Sequence, residues 1–148
     1  MQEADMQRAV TELFNRYARE TNKALVGEPD LSALVELYTD SFIGSSPLGV
    51  MTGQQGDEFT KALTAGFARY RAIGTRRMTI LDVRVEPIDT IHALANVAWR
   101  ASYSRDGAQK EIDFNNVYLV RIDDGRAKVF GWITGDEDAE LRKHGVIA

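Results

Sequence analysis

Apolar positions near the start of the chain recur at helical spacing. Met6, Val10, Leu13, Phe14 and Tyr17 form one stripe and predict a first helix over roughly residues 4–23. Gly27 and Pro29 then break the pattern, and Asp30 is placed to cap a second helix whose buried face would carry Leu31, Leu34, Val35 and Tyr38. The stretch "SFIGSSPLGVMTGQQG" is rich in Gly, Ser and Pro. It reads as a short strand over 41–45, a turn at Pro47 to Gly49, and a loop. A third helix is predicted from about Gln55, with Phe59, Leu63, Phe67 and Tyr70 as its stripe and Gly74 as its stop.

From there the period changes from helical to alternating. "RRMTILDVRVEPI", "IHALANVAWRASYS", "KEIDFNNVYLVRI" and "AKVFGWIT" read as four consecutive strands. Asp106-Gly107 and Asp124-Gly125 are two-residue hairpin signals between them. The order of elements predicts an α+β domain over residues 1–148, with helices packed on one face of a curved antiparallel sheet.

If both turns hold two residues, Arg100 pairs with Asp113, Ala98 with Asn115, Val117 with Trp132 and Asn115 with Thr134. One face then carries Arg100, Ser102, Asp113, Asn115, Val117, Trp132 and Thr134. The other carries Val97, Trp99, Ala101, Phe114, Asn116, Tyr118, Val129 and Ile133. The first, mixed face has the composition of a pocket wall, and equally that of a solvent face with an ordinary cross-strand ion pair. The aromatic second face fits either a dimer interface or packing against a helix.

Charge and composition narrow the function classes. The 148 residues carry a net charge of −4, which opposes a nucleic-acid partner. With no cysteine there is no thiolate chemistry or disulfide, and the two histidines, His92 and His144, lie far apart, so no metal or other cofactor is expected. No apolar run approaches membrane-spanning length and the first residues are charged, so no membrane is expected and the expected location is cytoplasmic. The acids Asp136 to Asp138 precede a short helix with Arg142, Lys143 and His144 in its last turn. This is the pattern of an N-cap, a favourable first turn and a Gly145 stop.

The segments "ELYTDSFIGSSPLG" and "GWITGDEDAELRKHGVI" resemble, respectively, the "xLYADDxxxxDPxG" segment and the closing strand–acid–helix of the nuclear transport factor 2-like superfamily, in particular its SnoaL-like branch. The resemblance covers nearly the whole chain. It implies a cystatin-like cone, a sheet wrapped around a pocket under the first helix, and a homodimer. It also implies where chemistry would sit. Tyr17 resembles the helix-one tyrosine of ketosteroid isomerases, but the carboxylate position before the proline holds Ser46. Where limonene epoxide hydrolases have a tyrosine, an asparagine, an Arg-x-Asp pair and a late acid, this chain has Ile43, Ser45, Arg100-Ala101-Ser102 and Thr134.

The expected function is therefore binding of a small apolar or aromatic molecule with a polar end. The alternatives are a cofactor-free isomerase, cyclase or dehydratase, and a dimerising interaction domain. Asp113 is the candidate base, acting with Tyr17 or Arg100. Asn115, Trp132, Thr134, Ser45 and Tyr38 complete, with Arg100, the expected ligand contacts.

Overall fold

The computed structural model describes residues 2–148. Helices α1 (Glu3–Leu25) and α2 (Leu31–Val35) lead into strands β1 (Tyr38–Ser46) and β2 (Gly49–Gln54). Helix α3 (Asp57–Ala72) follows, then β3 (Thr75–Pro87), β4 (His92–Arg105), β5 (Ala108–Asp123), β6 (Arg126–Ile133) and α4 (Glu137–Lys143). The strands make one curved, unclosed sheet in the order β2-β1-β6-β5-β4-β3. Every neighbouring pair is antiparallel except β1 and β6, which run parallel.

The hairpin signals act as their chemistry requires. Asp106 and Gly107 take φ of 52° and 79°, and Asp124 and Gly125 take 49° and 78°, the left-handed pair that a two-residue turn between twisted strands needs. The first turn sets Arg105 opposite Ala108 and hence Arg100 opposite Asp113, as the sequence predicts. The second sets Asp123 opposite Arg126, but the ladder slips between Leu119 and Val120. Val120 faces Val129 while Leu119 faces Gly131, so Phe130 is the extra residue of a bulge. The slip exchanges every side chain beyond it. Tyr118, not Val117, faces Trp132, and Val117 faces Ile133.

Two further expectations are corrected. Tyr38 begins β1 rather than ending the second helix, and the expected loop after Gly49 is an edge strand. In it Gly53 leaves room for the Phe42 ring: a Cβ there would lie 2.4 Å from Phe42 Cε1.

The inner face of β4 reads Ala93, Ala95, Val97, Trp99, Ala101, Tyr103, all buried. Met6, Val10, Leu13 and Phe14 of α1 pack over it with Val120 and Val129. Removing this apolar surface from water is what holds helix to sheet, at roughly 25 cal/mol per Å². Asn22 fixes the far end of α1 in place. Its amide donates to the Met78 carbonyl at 2.8 Å and its oxygen accepts from the Met78 amide at 2.8 Å, so one side chain serves both backbone groups of β3. Arg71 ties α3 to α1 by donating to the Ala24 carbonyl at 2.7 Å. Among the described residues no helix is long and apolar enough to cross a membrane.

Candidate functional site: an aromatic cavity under the first helix

A cavity of about 580 Å³ is lined by the second half of α1, the inner face of the sheet, α3 and α4. Phe67, Met78, Trp99, Phe114, Trp132 and Leu141 supply much of its apolar wall. That volume and lining suit a small molecule. Trp132 reaches the wall only because the bulge turns it inward and because Gly44 has no side chain: a Cβ there would sit 2.5 Å from the indole Nε1.

One end of the cavity is a relay of hydroxyls. Trp99 Nε1 donates to the Tyr118 hydroxyl at 3.1 Å, and Asn116 Nδ2 donates to the same oxygen at 3.3 Å. With its oxygen serving two N–H donors, Tyr118 directs its own proton toward Tyr17, its next hydrogen-bond partner. Tyr17 and Tyr38 share a further bond at 3.1 Å. Three hydroxyl protons serve two links between hydroxyls, so one proton is not used within the relay. Burial raises the pKa of Tyr17, Tyr38 and Tyr118 well above the ordinary tyrosine value. All three therefore stay protonated and act as hydrogen-bond donors, not as bases.

The other end lies under α3 and α4. Asp136 caps α4, accepting from the Ala139 amide at 3.0 Å, as the sequence predicts. Its two neighbours part company. Asp138 takes the Arg69 guanidinium at 2.8 Å, outside the cavity. Glu137 instead borders the cavity and accepts from the Tyr70 hydroxyl at 3.2 Å. The residue as a whole is exposed, yet desolvation of its carboxylate raises the pKa above the usual glutamate value.

The expected residues divide accordingly. Tyr17, Tyr38, Trp132 and Thr134 come together on the cavity. Arg100 and Asp113 do not serve it. They form a bidentate pair on the opposite, outer face, with Nε to Oδ1 at 2.8 Å and Nη2 to Oδ2 at 3.0 Å. Asp113 and Asn115 border the cavity, but both are exposed, and the Arg100 hydrogen bond holds the Asp113 carboxyl below its usual pKa. The Asp113 carboxylate is thus already committed to Arg100 at its two oxygens. Ser45 serves the sheet, its carbonyl accepting from the Thr134 amide at 2.9 Å. Trp99, Phe114 and Tyr118 line the cavity rather than an interface, because their face turns inward. Among the described residues no group of three His, Asp or Glu is arranged to hold a metal ion.

The fold and this cavity now stand beside known proteins. Residues 4–137 match the family model described as NTF2-like protein (DUF6841). The chain belongs to that family. Solved structures of similar fold include an NTF2-like protein with a cystatin-like fold from Novosphingobium aromaticivorans. It is 16% identical with a TM-score of 0.68, and the match covers 96% of this chain and 88% of that one. A candidate scytalone dehydratase from the same organism is 14% identical with a TM-score of 0.65, over 86% of this chain and 81% of its own. A ketosteroid isomerase-like protein from Erwinia carotovora atroseptica is 15% identical with a TM-score of 0.62, over 86% and 93%. At such identities the likeness concerns the fold. No curated protein matches the chain in sequence. Like these NTF2-like structures, the DUF6841 chain wraps an α+β cone with N-terminal helices, so its own side chains must decide what the cavity accepts.

Proposed function

We propose that this protein binds a small apolar or aromatic molecule carrying an oxygen acceptor, with its flat body against Trp99, Phe114 and Trp132 and its oxygen at the tyrosine relay. The observation that carries the reading is the tyrosine relay on an aromatic stretch of the cavity wall, with three hydroxyl protons for two internal links. A buried donor without a partner is costly, and a carbonyl or ether oxygen satisfies it. The relay also gives direction. Two fixed N–H donors at Tyr118 force its hydroxyl to give rather than accept, which leaves a donor for the ligand.

The test is thermal stabilisation by 2-acetylnaphthalene and by naphthalene, on wild type and Tyr17→Phe. A ligand that binds the native state alone raises the melting temperature by mass action. The ketone is expected to stabilise wild type more than the hydrocarbon does. Tyr17→Phe cuts the relay between Tyr118 and Tyr38, and is expected to weaken the ketone by about fivefold to tenfold, the worth of one hydrogen bond, while leaving naphthalene unchanged. Equal losses for both molecules would contradict a relay that reads oxygen.

We further infer a homodimer through the outer sheet face, where Ile43 and Ile133, 39% and 49% exposed, lie on adjacent strands. Large exposed apolar side chains that cluster favour association. Sedimentation equilibrium is expected to return twice the chain mass for wild type and a shift toward monomer for Ile133→Lys. A monomeric wild type would overturn this inference without touching the cavity.

A further inference from the structure

The cavity has a second polar end that the tyrosine relay does not explain. Thr75, the first residue of β3, is 2% exposed and lines the cavity, and its Oγ1 has no hydrogen-bond partner among the described residues. It lies beside the Tyr103 hydroxyl, whose proton affinity it lowers, yet the two make no bond of ordinary geometry. Buried hydroxyls are rarely left this way, because the lost hydration is not recovered. Thr75 is not on the surface, so bulk water does not answer for it.

Glu137 faces the same region. It acts electrostatically on Tyr103 as well as accepting from Tyr70, and with Thr75 and Tyr103 it lines the same cavity. Arg69, whose charge acts on Glu137, is paired with Asp138, and Glu137 keeps accepting capacity. Trp99 and Tyr103 are four residues apart on one strand, roughly 13 Å at about 3.3 Å per residue.

We propose that the Tyr103 end is a second polar subsite, in which Thr75 and Glu137 hold a hydroxyl group of the ligand. Resting on the cavity being a ligand site, this specifies the ligand class: a flat or alicyclic ketone or aldehyde bearing a hydroxyl at its opposite end. A hydroxyl fits because it both donates and accepts, matching a carboxylate acceptor and a threonine that does either. An ammonium would bring three donors into a site with too few acceptors, and an ether would leave Glu137 unanswered.

The experiment is calorimetric titration of the full chain with 2-acetylnaphthalene, its 6-hydroxy derivative and its 6-methoxy derivative. Wild type is expected to bind the 6-hydroxy ketone at least tenfold more tightly than the other two. Thr75→Val removes only the hydroxyl, and is expected to bring the ratio of hydroxy to parent ketone at least threefold nearer to one, with the parent's affinity unchanged. Glu137→Gln is expected to weaken the hydroxy ketone and spare the parent. The folding control runs the same way: without ligand, Thr75→Val is expected to melt no lower than wild type, since it deletes an unbonded polar atom. A lower melting temperature would reveal an internal partner for Thr75 and overturn the subsite. If wild type binds the parent and hydroxy ketones equally, the second subsite is wrong and the cavity reading stands. If neither ketone binds, both are wrong.

Discussion

Trp99→Ala is expected to cost about 3–5 kcal/mol of folding stability, the range for deleting a large buried aromatic side chain. Trp99 is 1% exposed and is the largest fully buried side chain in the molecule. Its ring meets Tyr17 at a centroid distance of 5.8 Å, and its indole N–H holds the Tyr118 hydroxyl. Alanine would therefore do two kinds of damage. It would remove packing under α1, enlarging a cavity that already exists beside it, and it would take away one of the two donors that orient the relay. Trp99→Phe separates them, since phenylalanine keeps most of the ring and loses the N–H. It is expected to cost about 1–2 kcal/mol and to weaken ketone binding more than its effect on stability would account for. Urea unfolding of the three proteins measures the stability differences. A loss below about 1 kcal/mol for Trp99→Ala would mean the ring does not pack as described.

Gly131→Ala is the second large effect, about 1–3 kcal/mol, and its cause is different. A Cβ at this position would lie 2.8 Å from the Ile43 carbonyl oxygen and 2.8 Å from Leu119 Cδ1. The carbonyl belongs to backbone, so relief requires β1 to move away from β6. That is the single parallel seam of the sheet, and it carries the whole β1–β2 hairpin. Because Gly131 follows the bulged Phe130, the same movement would shift Trp132 on the cavity wall. Gly135→Ala is the control, since a Cβ there meets nothing within 4 Å, and it is expected to change stability by no more than about 0.5 kcal/mol. Similar costs at the two glycines would contradict the close strand approach.

Much of this fold is legible from local chemistry. The stripe from Met6 to Tyr17 is a helix in the structure, and both Asp-Gly turns set the first residue pairs of their hairpins. Asp136 is a cap because capping is decided within four residues. The misreadings arise where distant contacts decide. The bulge at Phe130 carries no sequence mark beyond the adjacent glycine, which is needed because β1 comes so near. One unpaired residue was enough to exchange Trp132 and Thr134 between faces, and with them the face on which a pocket was expected.

Glu137 escaped for another reason. Helix-end chemistry accounts for Asp136, Glu137 and Asp138 together, and only partners in α3, Tyr70 and Arg69, separate a cavity acid from a surface acid. Tyr118 and Asn116 did leave a signal. They sit with Trp99 among inward-facing apolar residues, and polar atoms buried on such a face must find one another.

The most direct test of the account uses the protein's own reporters. The chain has two tryptophans, and both line the cavity. An amide correlation spectrum of nitrogen-15-labelled protein therefore shows two indole N–H signals. On titration with 2-acetylnaphthalene both are expected to shift together and saturate with one dissociation constant, and Tyr17→Phe is expected to raise that dissociation constant. Indole signals that stay in place at saturating ketone would contradict a ligand-binding cavity beneath the first helix.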